Sequence, residues 1–169
     1  FLDAVGVPAG RVHRIHGEDP DPERAAARYE RELREALPAA PGSIPRFDLV
    51  LMGLGADGHT ASLFPGSAAL AERDRLAVAV HAADSSMPSP VVDRITLTPP
   101  AIAAGREILF LVVGEEKAPA VAATLEGPRA PETWPAQLVD GARGAVTWLL
   151  DAAAAAGLDM AAEPEERSA

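Results

Sequence analysis

Apolar positions along the chain follow two rhythms. Ala26, Tyr29, Leu33 and Leu37 recur at helical spacing within the Ala/Arg/Glu-rich stretch Glu23 to Leu37, which predicts an amphipathic helix opened by Pro20 to Pro22 and stopped by Pro38. Oppositely charged neighbours give that helix a solvated face. Phe47 to Met52 and Glu107 to Val113 are instead nearly continuous apolar runs followed by glycine, the pattern of strands buried on both faces. Val12 to His16, Leu76 to Ala82, Arg94 to Thr98 and Val146 to Leu150 predict further strands. A short helical stretch around Ile102 ends at Gly105. A second helix is predicted over Glu115 to Leu125, with two glutamates in its first turn and Pro119 near its start. Asp151 is placed to cap an alanine-rich helix behind it.

Strands alternating with helices predict an α/β domain with a mainly parallel sheet flanked by helices. Residues 1–158 form that domain in this reading, and residues 159–169 a disordered tail. Gly127 to Trp134 is read as loop. In such sheets ligands bind beyond the carboxyl ends of the strands. The loops after Met52, Thr98 and Val113 are therefore the places to look for chemistry.

Composition narrows the classes. The 169 residues are 48% hydrophobic and 24% charged, the proportions of a packed globular chain rather than a disordered one. The absence of cysteine removes disulfides, thiolate nucleophiles, iron–sulfur clusters and cysteine-based zinc sites. A net charge of −10 repels nucleic acid and anionic membranes, so an anionic ligand needs a local basic pocket. The apolar run Ile108 to Val113 is too short to span a bilayer, and the start at Phe1 has no leader pattern. A cytoplasmic location is the resulting expectation. Among the 15 basic residues Lys117 is the only lysine.

Gly53-Leu54-Gly55-Ala56-Asp57-Gly58-His59 follows a predicted strand directly and contains G-x-G-x-x-G. A dinucleotide site wants a long helix starting in that loop and an acid ending the next strand. Here Asp57 sits among the glycines, Pro65-Gly66 interrupts any helix, and the next strand ends in His81-Ala82. Gly53, Gly55 and Gly58 permit tight turns that aim amide N–H groups at an anion. His59 can take a proton from water and return it to a leaving group, with Asp57 stabilising its cationic form. The plainer alternative is that Asp57 bonds turn amides and His59 caps the next helix. Ser62 lacks a G-x-S-x-G elbow and reads as a local hydrogen-bonding residue. His13 and His16 point to opposite faces of a strand and cannot grip one ion together. Arg94 at a strand start and Lys117 in the first turn of a helix could hold an anion. Their alternatives are a surface charge for Arg94 and a weak ion pair with Glu115 or Glu116 for Lys117.

Five blocks, FDLVLMGLGADGHTASLFPGS (Phe47 to Ser67), RITLTPPAI (Arg94 to Ile102), FLVVGEEKA (Phe110 to Ala118), PAQLV (Pro135 to Val139) and VTWLLD (Val146 to Asp151), resemble the glucosamine-6-phosphate isomerase/6-phosphogluconolactonase family in the family's own order. Ser62-Leu63-Phe64-Pro65 is similar to the lactonase branch, where the deaminases typically continue with an asparagine and a glutamate. The resemblance implies a Rossmann-like fold of the sugar-phosphate isomerase type. It implies hydrolysis of 6-phospho-D-glucono-1,5-lactone to 6-phospho-D-gluconate in the oxidative pentose phosphate pathway, without metal or organic cofactor. By motif position His59 would be the general base, Asp57 its support, and Arg94, Lys117 and Gly55 the substrate-binding residues. Family members carry an additional N-terminal portion with a Gly/Ser/Thr phosphate loop and an acidic Asp-Glu-Arg segment, and neither occurs here. The chain is accordingly expected to be N-terminally incomplete, lacking the first strands of the sheet. The alternative expectation is an inactive phosphosugar-binding fragment or subunit. Oligomeric state has no signature in the sequence.

Overall fold

The computed structural model describes residues 3–40, 42–84 and 91–159. Its regular elements are α1 (Pro22–Ala36), β1 (Leu49–Met52), β2 (Ala77–Val80), β3 (Arg94–Leu97), α2 (Pro99–Ala103), β4 (Glu107–Val112), α3 (Ala118–Leu125) and β5 (Ala145–Leu150). Helix α1 forms where the spacing predicts it. The Asp21 side chain accepts the Arg24 N–H at 3.0 Å, and Pro22 occupies the first position, where no intrahelical donor is needed. Ala25, Ala26 and Leu33 are buried, with Tyr29 and Leu37 packed beside them.

Three strands make a parallel sheet in the order β1-β4-β5. β4 lies in the centre, and each crossover carries a helix, α2 before β4 and α3 before β5. Side chains alternate across the pleat. Val50, Met52, Ile108, Phe110, Val112, Val146, Trp148 and Leu150 share the core face. Phe110 has no exposed surface and stacks on Trp148 with ring centroids 3.9 Å apart and planes 6° from parallel. Leu54, Leu63, Phe64, Leu70, Ile102 and Val121 complete this core. β2 and β3 form a separate antiparallel ribbon, and α1 packs on β2 around Leu33 and Leu76. The expectation of an α/β fold with a mainly parallel sheet therefore holds, with an antiparallel pair set beside it.

Four local expectations are corrected. β1 and β4 are buried on one face only: Leu51 is 61% exposed and Leu111 50%, beside Leu49 and Leu149 on the same side. Ile102 of α2 and Val121 of α3 pack against the same sheet face, so both crossovers cover one side and leave the other open. Val12 to His16 is not a strand. It lies along the protein with His13 Nδ1 2.9 Å from Glu32 Oε1, and no strand among the described residues pairs with it. The stretch after Asp151 is a series of turns. One bond of helical span, Ala155 N–H to the Asp151 carbonyl at 3.0 Å, gives way to shorter spans at Ala156 and Leu158. Asp151 does cap it, accepting the Ala154 N–H at 2.7 Å. The helix expected from Glu115 opens as a 3₁₀ turn, Glu115–Lys117, before α3 begins. Within the expected tail, residues 160–169 lie outside the described residues. No described helix is long and apolar enough to cross a membrane.

At the amino end of α1, His81 sits between two acids, Nε2 at 3.4 Å from Glu23 and Nδ1 at 3.5 Å from Asp93. The hydrogen bond to Asp93, followed by that to Glu23, holds the His81 pKa above its ordinary value. A group with a raised folded pKa stabilises fully below its unfolded pKa and loses that contribution as pH rises through the folded value. His81→Gln is expected to lower Tm at pH 5.5 and to leave it unchanged at pH 9, as measured by scanning calorimetry. Phe110→Ala, which deletes the central ring, is expected to cost about 3–5 kcal/mol at any pH in this range, read from urea unfolding.

Candidate active site

Met52 of β1 pairs with Phe110 of β4 in parallel register. The chain therefore leaves both strands on the same edge, with neighbouring strands about 4.8 Å apart. The loop after β1 carries Asp57 and His59, and the turn after β4 carries Lys117. The two meet around one cavity of about 320 Å³ lined by Gly53, Leu54, Gly55, His59, Ala61 and Lys117. Loops after two of the three strand ends singled out in the sequence thus build the site.

The glycine loop is held by its own backbone. Gly55 N–H donates to the His59 carbonyl at 2.8 Å, and Gly58 N–H to the Gly55 carbonyl at 3.0 Å. The buried Thr60 hydroxyl donates to the Gly53 carbonyl at 2.8 Å. This fold places the Asp57 carboxylate 2.5 Å from His59 Nδ1. Asp57 also accepts the His59 backbone N–H at 3.2 Å. An ionised carboxylate only accepts, so the bond assigns the proton to Nδ1 and leaves Nε2 as the basic nitrogen. The His59 side chain is 23% exposed, wet enough to exchange protons and enclosed enough to be fixed. Both sequence readings of Asp57 survive, since it bonds a turn amide and the imidazole.

Gly55 lines the cavity and also has a steric part. Its N–H is committed to His59, and a Cβ there would lie 2.1 Å from His59 Nδ1 and 2.4 Å from Asp57 Oδ1. Its missing side chain is the space the Asp57–His59 pair occupies. Gly58 is constrained from outside, with φ +81° and Trp134 Cε3 2.5 Å from where its Cβ would stand. Ala136 N–H donates to the Gly58 carbonyl at 3.3 Å. Trp134 belongs to the stretch read as loop, and no local signal ties it to Gly58. Buried Gln137 fixes that stretch by accepting Ala130 N–H at 2.6 Å and donating to the carbonyls of Ala123 and Pro128.

Arg94 reaches the neighbourhood through Phe64. Its guanidinium lies 5.6 Å from the Phe64 ring centroid, and that fully buried ring packs on the His59 imidazole at 4.7 Å. A cation over an aromatic face is held electrostatically. Arg94 does not line the cavity shared by His59 and Lys117. Lys117 Nζ is 4.0 Å from Glu116 Oε1, the outer limit of an ion pair and too long to occupy the ammonium. The Ser62 backbone N–H donates to Thr96 Oγ1 of β3 at 3.1 Å. No helix starts in the glycine loop: after His59 the chain makes a single bridge between Thr60 and Leu63, against a dinucleotide cradle. Among the described residues no three His, Asp or Glu side chains converge as metal ligands.

Fold and site together define an α/β protein with a carboxylate–imidazole pair in the loop at the carboxyl end of a parallel strand. Residues 1–148 match the family described as glucosamine-6-phosphate isomerases/6-phosphogluconolactonase, and the chain belongs to that family. It is 39% identical over 160 residues to a 6-phosphogluconolactonase of Nostoc sp., covering 95% of this chain and 63% of that protein. It is 42% identical over 174 residues to one of Streptomyces coelicolor, covering 97% and 62%. The solved 6-phosphogluconolactonase of Trypanosoma brucei superposes with a TM-score of 0.72 at 35% identity, covering 83% of this chain and 55% of that one. The chain thus spans about six tenths of the length of the relatives it matches.

Gly55→Ala is expected to displace the His59 ring and break its bond to Asp57 while the sheet stays folded. The His59 imidazole resonances in NMR would then match those of an Asp57→Ala variant. Unchanged resonances would contradict the steric role assigned to Gly55.

Proposed function

We propose that the cavity between His59 and Lys117 hydrolyses 6-phospho-D-glucono-1,5-lactone to 6-phospho-D-gluconate. The observation that carries this reading is His59, hydrogen-bonded to Asp57, lining the same cavity as the chain's only lysine. Membership of a family whose members include 6-phosphogluconolactonases supports it. His59 Nε2 takes a proton from water as the oxygen attacks the lactone carbonyl carbon, while Asp57 stabilises the imidazolium. Collapse of the tetrahedral intermediate breaks the bond to the ring oxygen, which leaves with the proton from Nε2 as a hydroxyl. The new carboxylic acid then ionises and releases one proton to solvent.

Lys117 holds the substrate phosphate, and Arg94, kept near the loop by Phe64, adds positive charge to the neighbourhood. Such local cations offset the repulsion that a chain of net charge −10 exerts on a dianion. A lactone carbonyl is already electrophilic, so positioning and proton transfer supply the catalysis. As a step of carbohydrate metabolism, this reading puts the chain in the cytoplasm.

Proton release in weakly buffered solution is expected to exceed the spontaneous opening of the lactone. His59→Ala should lower kcat by about 10²–10⁴-fold. Lys117→Ala should raise KM by on the order of ten- to a hundredfold, the loss of a charge-assisted bond. A full rate in His59→Ala sinks the base assignment. Calorimetric binding of 6-phosphogluconate without turnover would instead make the chain a phosphosugar-binding piece.

A further inference from the structure

One carboxylate outside the cavity is tied to Lys117 through the backbone. Asp151 follows β5, and its N–H donates to the Val112 carbonyl at the end of β4 at 3.2 Å. Its side chain serves two partners. Oδ1 accepts the Ala154 N–H at 2.7 Å, and both carboxylate oxygens lie 3.2 Å from the Gly114 nitrogen, which donates to them.

Gly114 is the pivot of the Lys117 turn. Its φ of +108° suits only glycine, and a Cβ there would stand 2.5 Å from Glu116 Oε2. The Gly114 carbonyl accepts the Lys117 N–H at 3.1 Å. Two hydrogen bonds therefore connect Asp151 to the residue facing His59 across the cavity.

A cap for Ala154 alone requires one oxygen, which Asn, Ser or Thr supplies as well as Asp. The Gly114 N–H bridges both oxygens, which only a carboxylate offers; an Asn would set an NH₂ donor against it. We infer that Asp151 is a positioning residue that holds the Gly114–Lys117 turn and so sets where the Lys117 ammonium meets the anionic end of the ligand. The kinetic part of this inference rests on the proposed lactonase reading.

The test is Asp151→Asn in the full chain, which keeps the cap, compared with Asp151→Ala. Hydrogen exchange of the amides at 114–117 is expected to quicken about fivefold or more in Asp151→Asn, with β4 and α3 unchanged. KM for 6-phosphogluconolactone should rise about three- to tenfold with kcat within about twofold and an unaltered pH profile. KM for unphosphorylated glucono-1,5-lactone should stay constant. Unchanged exchange at 114–117 overturns the positioning role whatever the enzyme does. Equal effects on both lactones, or a fall in kcat alone, overturn the link to the phosphate. If the wild-type chain neither turns over the lactone nor binds 6-phosphogluconate, the lactonase reading fails, and exchange alone decides whether Asp151 holds the turn.

Discussion

The parallel pairing of β1 with β4 is the constraint on which the site depends. Parallel neighbours send their following loops out of the same edge, so Met52 beside Phe110 brings together a glycine loop and a lysine turn more than fifty residues apart in sequence. The core face of the same strands supplies the adhesion. Phe110 lies between Met52 on one side and Trp148 on the other, and its burial fixes the register that aligns the two loops. Slippage by one residue would turn every core side chain of β1 to the open face.

On that base the site is shaped by exclusion as much as by contact. Gly55 leaves room for the Asp57–His59 pair, and Gly58 leaves room for Trp134, which closes the loop from behind. Phe64 joins His59 to Arg94 by contacting both, its ring tilted 44° against the imidazole and its centroid 5.6 Å from the guanidinium. The Asp57–His59 pair is therefore positioned by its own loop and by packing from two distant segments, the ribbon strand β3 and the Trp134 segment. Rigid placement of this kind suits a reaction whose barrier is lowered by orientation and proton transfer.

The open face of the sheet is the largest departure from the sequence expectation. Apolar runs in β1 and β4 carry the composition of two-sided burial, yet Leu51, Leu111 and Leu149 lie open. A single chain segment cannot reveal which of its faces is covered, because periodicity reports side-chain character and not the presence of a neighbour. The same limit explains Val12 to His16, whose β-branched residues suit a strand that finds no partner among the described residues.

The sequence by itself determined the helix α1, the five paired strands, and the identity of Asp57, His59, Arg94 and Lys117 as the residues worth watching. These features are local: helical spacing, apolar runs, glycine-bounded loops and short motifs encode them within a few residues. Only the tertiary structure decided that His59 and Lys117 share a cavity while Arg94 stands behind Phe64. It also decided that Gly55 yields the space of the Asp57–His59 pair, and that Trp134 and Asp151 brace the two loops. Those outcomes depend on strand order and on contacts between segments dozens of residues apart, for which a linear pattern holds no record.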